Sequence, residues 1–127
     1  MENATPTSPE KSPTISDMIW ARINAIKNAQ GDAHQLAVYL VDISVLHASL
    51  SDKIADFEKA YTDKLGEMQD QNPGEPYNRI EMMAKRHEEY HDLRKAQALE
   101  KSVIEIIRAT KYLVKIKENE MSTSRLS

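Results

Sequence analysis

The chain has 127 residues, of which 17 are basic and 20 are acidic, so its formal net charge is −3. This length suits one small domain, and the charge excludes a global attraction to nucleic acid or anionic lipid. The absence of cysteine excludes disulfides and thiolate metal sites. The composition, with 29% charged residues and three glycines, favours an all-α coiled-coil protein. No signal peptide or membrane-spanning run is recognisable, and we expect a cytoplasmic protein without a membrane partner.

Residues 1–13 are rich in proline, serine and threonine and contain almost no large apolar side chain. Such a segment cannot offset its ordering entropy by burial, so we predict a disordered tail. Ser8-Pro9 and Ser12-Pro13 have the form of proline-directed phosphorylation sites. Composition alone favours the simpler interpretation of a solubilising tail.

A first helix is predicted over residues 15–30. Thr14 and Asp17 have the spacing of a capping box at its start. One face of this helix is apolar and carries Ile15, Met18, Ile19, Ile23 and Ile26. Trp20 lies beside that face and is either an interface anchor or a core residue that docks the short helix. We favour the core position, because the neighbouring isoleucines need a partner in any case.

A long second helix, predicted over residues 33–70, is the element around which the rest of the chain is organised. Gly31 suits the left-handed position before it, and Asp32 can cap its first turn. Apolar side chains then recur at alternating steps of four and three, which is the period of a coiled-coil seam. The first part of this heptad seam consists of Leu36, Leu40, Ile43, His47, Leu50, Ile54, Phe57 and Tyr61.

The first third of this long helix, from Leu36 to Leu46, is apolar around much of its circumference. A two-helix seam needs only one stripe, so this part is predicted to touch a third helix or a second chain. His47 breaks the apolar series. A histidine suits a metal-binding or pH-sensing role, but a polar seam residue more commonly fixes the register of the helices, and we favour that interpretation.

The segment 70–77 carries the strongest turn signal in the chain, with Asn72, Pro73, Gly74 and Pro76. A helix cannot continue through this sequence, and Pro76 suits the start of the next helix. So short a connection makes the flanking helices antiparallel neighbours. We therefore predict an antiparallel two-helix coiled-coil hairpin.

The third predicted helix spans residues 77–118 and supplies the second part of the heptad seam. That part consists of Leu99, Val103, Ile106 and Leu113. Successive steps of three between Met83 and Leu99 shift the seam, as a stammer does. The domain predicted over residues 14–120 is thus a hairpin with a short N-terminal third helix. Its surplus apolar surface predicts a homo-oligomer, most simply a dimer with a four-helix core, and residues 121–127 are predicted to form a second loose tail.

Residues 87–91 match the motif H-E-x-x-H letter for letter. The resemblance to zinc metallopeptidases implies that His87 and His91 bind zinc and that Glu88 activates water. Charged neighbours and the lack of an obvious third ligand argue against this assignment, and a short coiled coil offers no substrate cleft. We therefore expect no catalytic residue, no metal site and no cofactor.

A line of basic residues recurs along the last predicted helix, on the side opposite its seam. This basic line consists of Arg94, Lys101, Arg108, Lys111 and Lys115. It is about 30 Å long at 1.5 Å per residue and has the length to follow several phosphates. Interleaved acidic residues such as Glu105, and the scarcity of aromatic residues along the line, favour a solvated charged face instead.

The stretches 89–97 and 102–111 resemble small coiled-coil accessory proteins of bacteriophages and prophages. The resemblance covers about the last forty residues of the chain, and it implies a protein that acts by binding a host or viral protein partner. We therefore predict a non-enzymatic interaction protein, such as an adaptor, inhibitor or assembly factor. The alternative is a nucleic-acid-binding accessory protein that uses the basic line, and a zinc hydrolase comes third.

Overall fold

The computed structural model describes residues 12–29 and 31–126, and every regular element within these ranges is an α-helix. The helices in chain order are α1 (Ile15–Asn28), α2 (Ala33–Gln71), α3 (Tyr77–Ala84) and α4 (Glu88–Leu126). The predicted all-α class is confirmed for the described residues, which contain no strand. Within that part of the chain, no helix is long and apolar enough to cross a membrane. Residues 1–11 of the predicted tail lie outside the described residues.

Side-chain hydrogen bonds explain where the first two helices begin. The Oγ1 atom of Thr14 accepts from the N–H of Asp17, and Oδ2 of Asp17 accepts from the N–H of Thr14, both at 3.1 Å. The predicted capping box is therefore confirmed. At the start of α2, Oδ1 of Asp32 accepts from the N–H of Gln35 at 3.1 Å, so the predicted cap is present there too.

The turn between α2 and α3 contains a left-handed residue. Gly74 has a φ of 87°, which a residue with a Cβ atom rarely adopts. Pro76 follows, and its carbonyl accepts from the N–H of Ile80 at 3.2 Å as α3 begins. The left-handed conformation predicted for Gly31 stays a prediction, because its φ angle depends on Gln30, which lies outside the described residues.

The main core lies where α1, α2 and α4 meet. The Ser51 hydroxyl contacts the Glu100 carboxylate at 3.2 Å, whereas the Tyr61 ring lies 5.3 Å from the Tyr90 ring. The partner on α4 therefore moves backwards as α2 advances, so these helices run in opposite directions. The buried residues of this core are Ile19, Ile23, Ile26, Leu36, Ile43, Leu50, Ile54, Leu93, Ala96 and Val103.

The prediction of a single helix over residues 77–118 is wrong, because the chain bends between Ala84 and Glu88 and forms two helices, α3 and α4. In the bend, the N–H of Arg86 donates to the Met83 carbonyl at 3.2 Å and the N–H of the next residue donates to the Ala84 carbonyl at 3.0 Å. This three-residue spacing belongs to a tighter helix than the α-helix. The successive steps of three in the sequence were the signal of this overwinding.

Burial explains why the bend interrupts the helix. On a continuous α-helix, with about 100° per residue, Ala84 and Leu93 would lie on opposite faces. Both are nevertheless buried, at 0% and 7% exposure. Ala84 packs with Met68 and Ile80 in a second, smaller core near the turn, while Leu93 packs in the main core. The bend allows α3 and α4 each to turn an apolar face inward.

The outer boundaries of the helices also differ from the predicted ones. Helix α1 ends at Asn28 rather than at residue 30, and α4 continues to Leu126 rather than ending near Glu118. The segment predicted as a loose tail, residues 121–127, is therefore helical up to Leu126. It contains neither proline nor glycine, so nothing in its local chemistry ends the helix.

Candidate functional site

The heptad seam is largely covered by the chain itself. Its buried members are Leu36, Ile43, Leu50, Ile54 and Val103. Its half-buried members are Leu40, His47, Phe57, Tyr61, Leu99, Ile106 and Leu113. Because these side chains pack between α1, α2 and α4, a further binding partner has to use a different surface.

A small polar cluster interrupts the seam halfway along α2. The Oε2 atom of Glu100 accepts a hydrogen bond from the Ser51 hydroxyl at 3.2 Å, and it lies 3.5 Å from Nε2 of His47. That buried nitrogen has no hydrogen-bond partner of good geometry among the described residues. The cluster joins α2 to α4 at one defined height, which fits the register role favoured for His47. Glu100 was not predicted as a site residue, because its pairing depends on how α4 is aligned with α2.

The opposite side of α2 exposes a continuous apolar surface. Val38, Val41 and Val45 are 42%, 64% and 63% exposed, and Ala48 is exposed beside them. We call these four residues the valine face. At about 100° per residue it points away from the buried face around Ile43. The surplus apolar surface predicted for this part of α2 is therefore present and uncovered among the described residues.

Helix α1 covers one flank of α2 but stops short of the valine face. The Arg22 guanidinium pairs with the Asp42 carboxylate at 3.2 Å and lies 5.8 Å from the ring centre of Tyr39. Beyond this pair, Met18 and Val45 line a shallow cavity of about 330 Å³. The apolar surface thus extends from the valine face onto the edge of α1.

Trp20 does not lie in the core, so the position favoured for it was wrong. It is 48% exposed, because Ile19, Ile23 and Ile26 occupy the face of α1 that docks. Trp20 instead lines an open groove of about 620 Å³, together with Leu50. The remaining lining residues are Thr14, Ile15, Ser16, Lys53, Phe57, Asp92, Lys95, Ala96, Ala98, Leu99 and Ser102.

An aromatic cluster lies nearer the turn. The rings of Tyr61 and Tyr90 are 5.3 Å apart, and the Lys85 ammonium lies 5.7 Å from the Tyr90 ring centre. Burial, followed by the effects of Glu81 and Tyr77, raises the pKa of Tyr61 above its ordinary value of 10.0. Such a shift is typical of a tyrosine that packs against neighbouring side chains.

The H-E-x-x-H motif straddles the bend before α4. His87 lies in the bend, whereas Glu88 is the first residue of α4 and His91 lies in its first turn. His91 and Glu88 are exposed and His87 is half-buried. Among the described residues, no group of three or more histidine, aspartate or glutamate side chains could hold a metal ion. The motif is therefore not presented from one helix as it is in the zinc enzymes it resembles.

The basic line lies on the outside of α4. All five of its residues are exposed, and within the described part of the chain none of them forms an ion pair. Its members at seven-residue spacing are Arg94, Lys101, Arg108 and Lys115. The line therefore presents cations without ion-pair partners along one edge, with the exposed Glu105 between Lys101 and Arg108, and such cations are what a polyanion needs for binding.

Comparison with protein-family models, curated proteins and solved structures finds no match for this chain. The resemblance to bacteriophage accessory proteins consequently stays a prediction.

Proposed function

We propose that this chain is a non-enzymatic coiled-coil interaction protein that self-associates and acts by binding a protein partner. In this proposal the α2–α4 pair is an antiparallel coiled-coil hairpin, and two hairpins form a dimer with a four-helix core. The observation that carries the proposal is the exposed valine face on α2. The role that fits such a protein is that of an adaptor, inhibitor or assembly factor.

The valine face supports this proposal because its exposed residues are contiguous. Single exposed apolar residues are normal on any protein surface, but a continuous apolar patch with a polar rim is typical of an interaction site. Val38, Val41 and Val45 also keep the three-and-four spacing of a helical seam. A second helix laid along α2 would remove all three from water.

Self-association is tested by measuring molecular mass over a hundredfold dilution of the full chain by light scattering. We expect the mass to fall from that of a dimer towards 14.5 kDa, the mass of one chain. The melting temperature should rise with protein concentration, because association stabilises the folded form by mass action. A chain that is monomeric at every concentration, with a constant melting temperature, would contradict the proposal.

A second candidate function, nucleic-acid binding, is favoured by the basic line. Its five exposed cations lie along about 30 Å of one helix, and no ion pair within the described residues compensates them. Binding of this kind releases counterions and weakens steeply as salt is added. Titration of a fluorescent single- or double-stranded oligonucleotide at low and high salt tests it, and no binding at low salt would remove it.

A further inference from the structure

The valine face is part of a longer exposed face of α2, and the residue spacing along this longer face is the same when it is counted from either end. Six exposed residues of α2 share this face: His34, Val38, Val41, Val45, Ala48 and Asp52. At about 100° per residue they fall within an arc of about 80°. The steps between them are four, three, four, three and four, so the pattern is symmetric about Ile43.

From this symmetry we infer that the occupant of the valine face is a second copy of this chain, with its α2 lying antiparallel to the first. A two-fold axis near Ile43 would bring Val41 of each copy against Val45 of the other. Val38 would meet Ala48 in the same way. An isologous contact of this kind is the commonest way in which identical chains form dimers, and the inference rests on the proposed self-association.

Charge decides between the antiparallel and the parallel arrangement. The antiparallel copy places His34 at each end of the face opposite Asp52 of its partner, which gives two favourable pairs. A parallel copy would instead place the two Asp52 carboxylates together, and like charges at such positions are destabilising. The ends of the face therefore favour the antiparallel direction.

The residues on both flanks of this face allow the α2 helices of two copies to approach each other closely. On the side of α4, the flanking residues are the small Ala37, Ser44 and Ser51, and small side chains allow a short distance between helix axes. On the side of α1, Asp42 of the two copies would come near the two-fold axis. Each of these carboxylates is already paired with Arg22 at 3.2 Å, so their mutual repulsion is compensated.

Disulfide trapping tests the direction and the register together, because the chain contains no cysteine of its own. The full chain carrying both Val38→Cys and Ala48→Cys should form a covalent dimer under mild oxidation. Each single variant should form far less covalent dimer. In the antiparallel arrangement, its cysteine lies about ten residues along the helix, or roughly 15 Å, from the same cysteine of the second copy. Disulfides require Cα atoms within about 7 Å, so equal trapping of the single variants would overturn the inference.

A charge exchange at the ends of the face provides an independent test. Asp52→Lys should raise the dimer dissociation constant by roughly two- to tenfold, the size expected for the loss of two exposed histidine–carboxylate contacts. Adding His34→Asp to this variant should restore the original constant, because aspartate and lysine then face each other between copies. In a parallel dimer the same double variant would pair like charges and stay weak, which would contradict the inference.

A third variant separates failure of this inference from failure of the proposed function. Val41→Glu should raise the dimer dissociation constant by roughly tenfold or more, because each dimer would bury two unpaired charges. Ile104→Glu, at a 37% exposed isoleucine outside the face, is the matched control and should leave it unchanged. If the wild-type chain dimerises but Val41→Glu has no effect, the inference is overturned and self-association stands. A wild-type chain that never dimerises overturns both.

Discussion

The two ends of the α2–α4 pair differ in charge, in core size and in exposed surface. The end beside α1, residues 12–58 and 93–126, carries 11 basic and 10 acidic residues. The turn end, residues 59–92, carries 5 basic and 8 acidic residues. Most of the main core lies at the α1 end, whereas the turn end has the small core around Ile80. The α2–α4 pair thus has a strongly apolar end of nearly balanced charge and an acidic end.

This difference indicates where a binding partner fits. The turn end also exposes apolar side chains, since Tyr77 is 52% and Met82 is 63% exposed. These two residues are five positions apart on α3 and therefore lie on different faces of that helix. At the α1 end, the exposed Val38, Val41 and Val45 share one face. Among the residues that the structure describes, only the α1 end therefore offers a continuous apolar surface beyond what its own fold needs.

The largest expected effect is that of an aspartate placed in the main core. Leu50→Asp should destabilise the folded chain by about 3–5 kcal/mol, because it buries an unpaired charge. Met68→Asp at the turn end should cost less, since Met68 belongs to a core of three buried residues. Chemical denaturation followed by circular dichroism gives both values.

Ala55→Asp is the exposed control for these two substitutions and should change stability by less than about 0.5 kcal/mol. Ser51 is unsuitable as a control, because its hydroxyl donates to Glu100 and an aspartate there would repel that carboxylate. If Met68→Asp proves as damaging as Leu50→Asp, the proposed difference in core strength between the two ends is wrong.

The second largest effect is expected from reversing charges of the basic line, and it tests the second candidate function, nucleic-acid binding. Changing Arg94, Lys101 and Arg108 to glutamate should abolish oligonucleotide binding at roughly 50 mM salt, where phosphate contacts are strongest. The helix should stay folded, because all three side chains are exposed. Fluorescence anisotropy measures the binding, and circular dichroism checks the helix.

A matched triple variant at the turn end, with Lys59, Arg79 and Arg86 changed to glutamate, alters the net charge equally. These residues are also exposed. If binding depends on the α1 end, the control should retain most of it. Equal losses in both triple variants would show that total charge matters and that the basic line does not.

A smaller effect is expected at high pH in the aromatic cluster. The pKa of Tyr61 is raised in the folded chain, so the folded state holds this proton more tightly than the unfolded state does. The stabilisation is complete below pH 10.0, the ordinary pKa, and is lost as pH rises through the higher folded pKa. Tyr61→Phe should therefore make the decline in melting temperature above pH 10 shallower than in the wild type. An identical decline in both would contradict the account.

The smallest expected effect is that of Glu88→Gln in the H-E-x-x-H motif. We predict no change in stability or in self-association, because Glu88 is exposed at the start of α4. Elemental analysis of the purified wild-type chain should show no stoichiometric zinc. One zinc per chain, lost in both His87→Ala and His91→Ala, would instead make this motif a metal site.

Periodicity and capping chemistry predicted much of the fold, because both act locally. The capping box at Thr14 and the buried positions around Ile43 follow from spacing alone. The bend at residues 85–87 contains neither proline nor glycine, and it arises from the burial of Ala84 and Leu93 in separate cores. The steps of three in the sequence indicated an irregularity in this region, but they did not show that one helix ends there and another begins.

The candidate site was less predictable, because it depends on how helices are placed against each other. The surplus apolar surface of α2 was predicted, but which residues stay exposed depends on where α1 lies. The same holds for Trp20, whose hydrophobicity does not say which face of α1 docks. The contact between His47 and Glu100 requires the register of two helices far apart in sequence.

The most direct test of the account is a dilution series of the isotope-labelled chain followed by two-dimensional NMR. The account predicts that amide signals of residues 34–52 shift with concentration, while those of residues 77–91 at the turn end stay constant. Such a pattern would place self-association on α2 at the α1 end. Shifts concentrated at the turn end, or no shift anywhere over a hundredfold dilution, would contradict it.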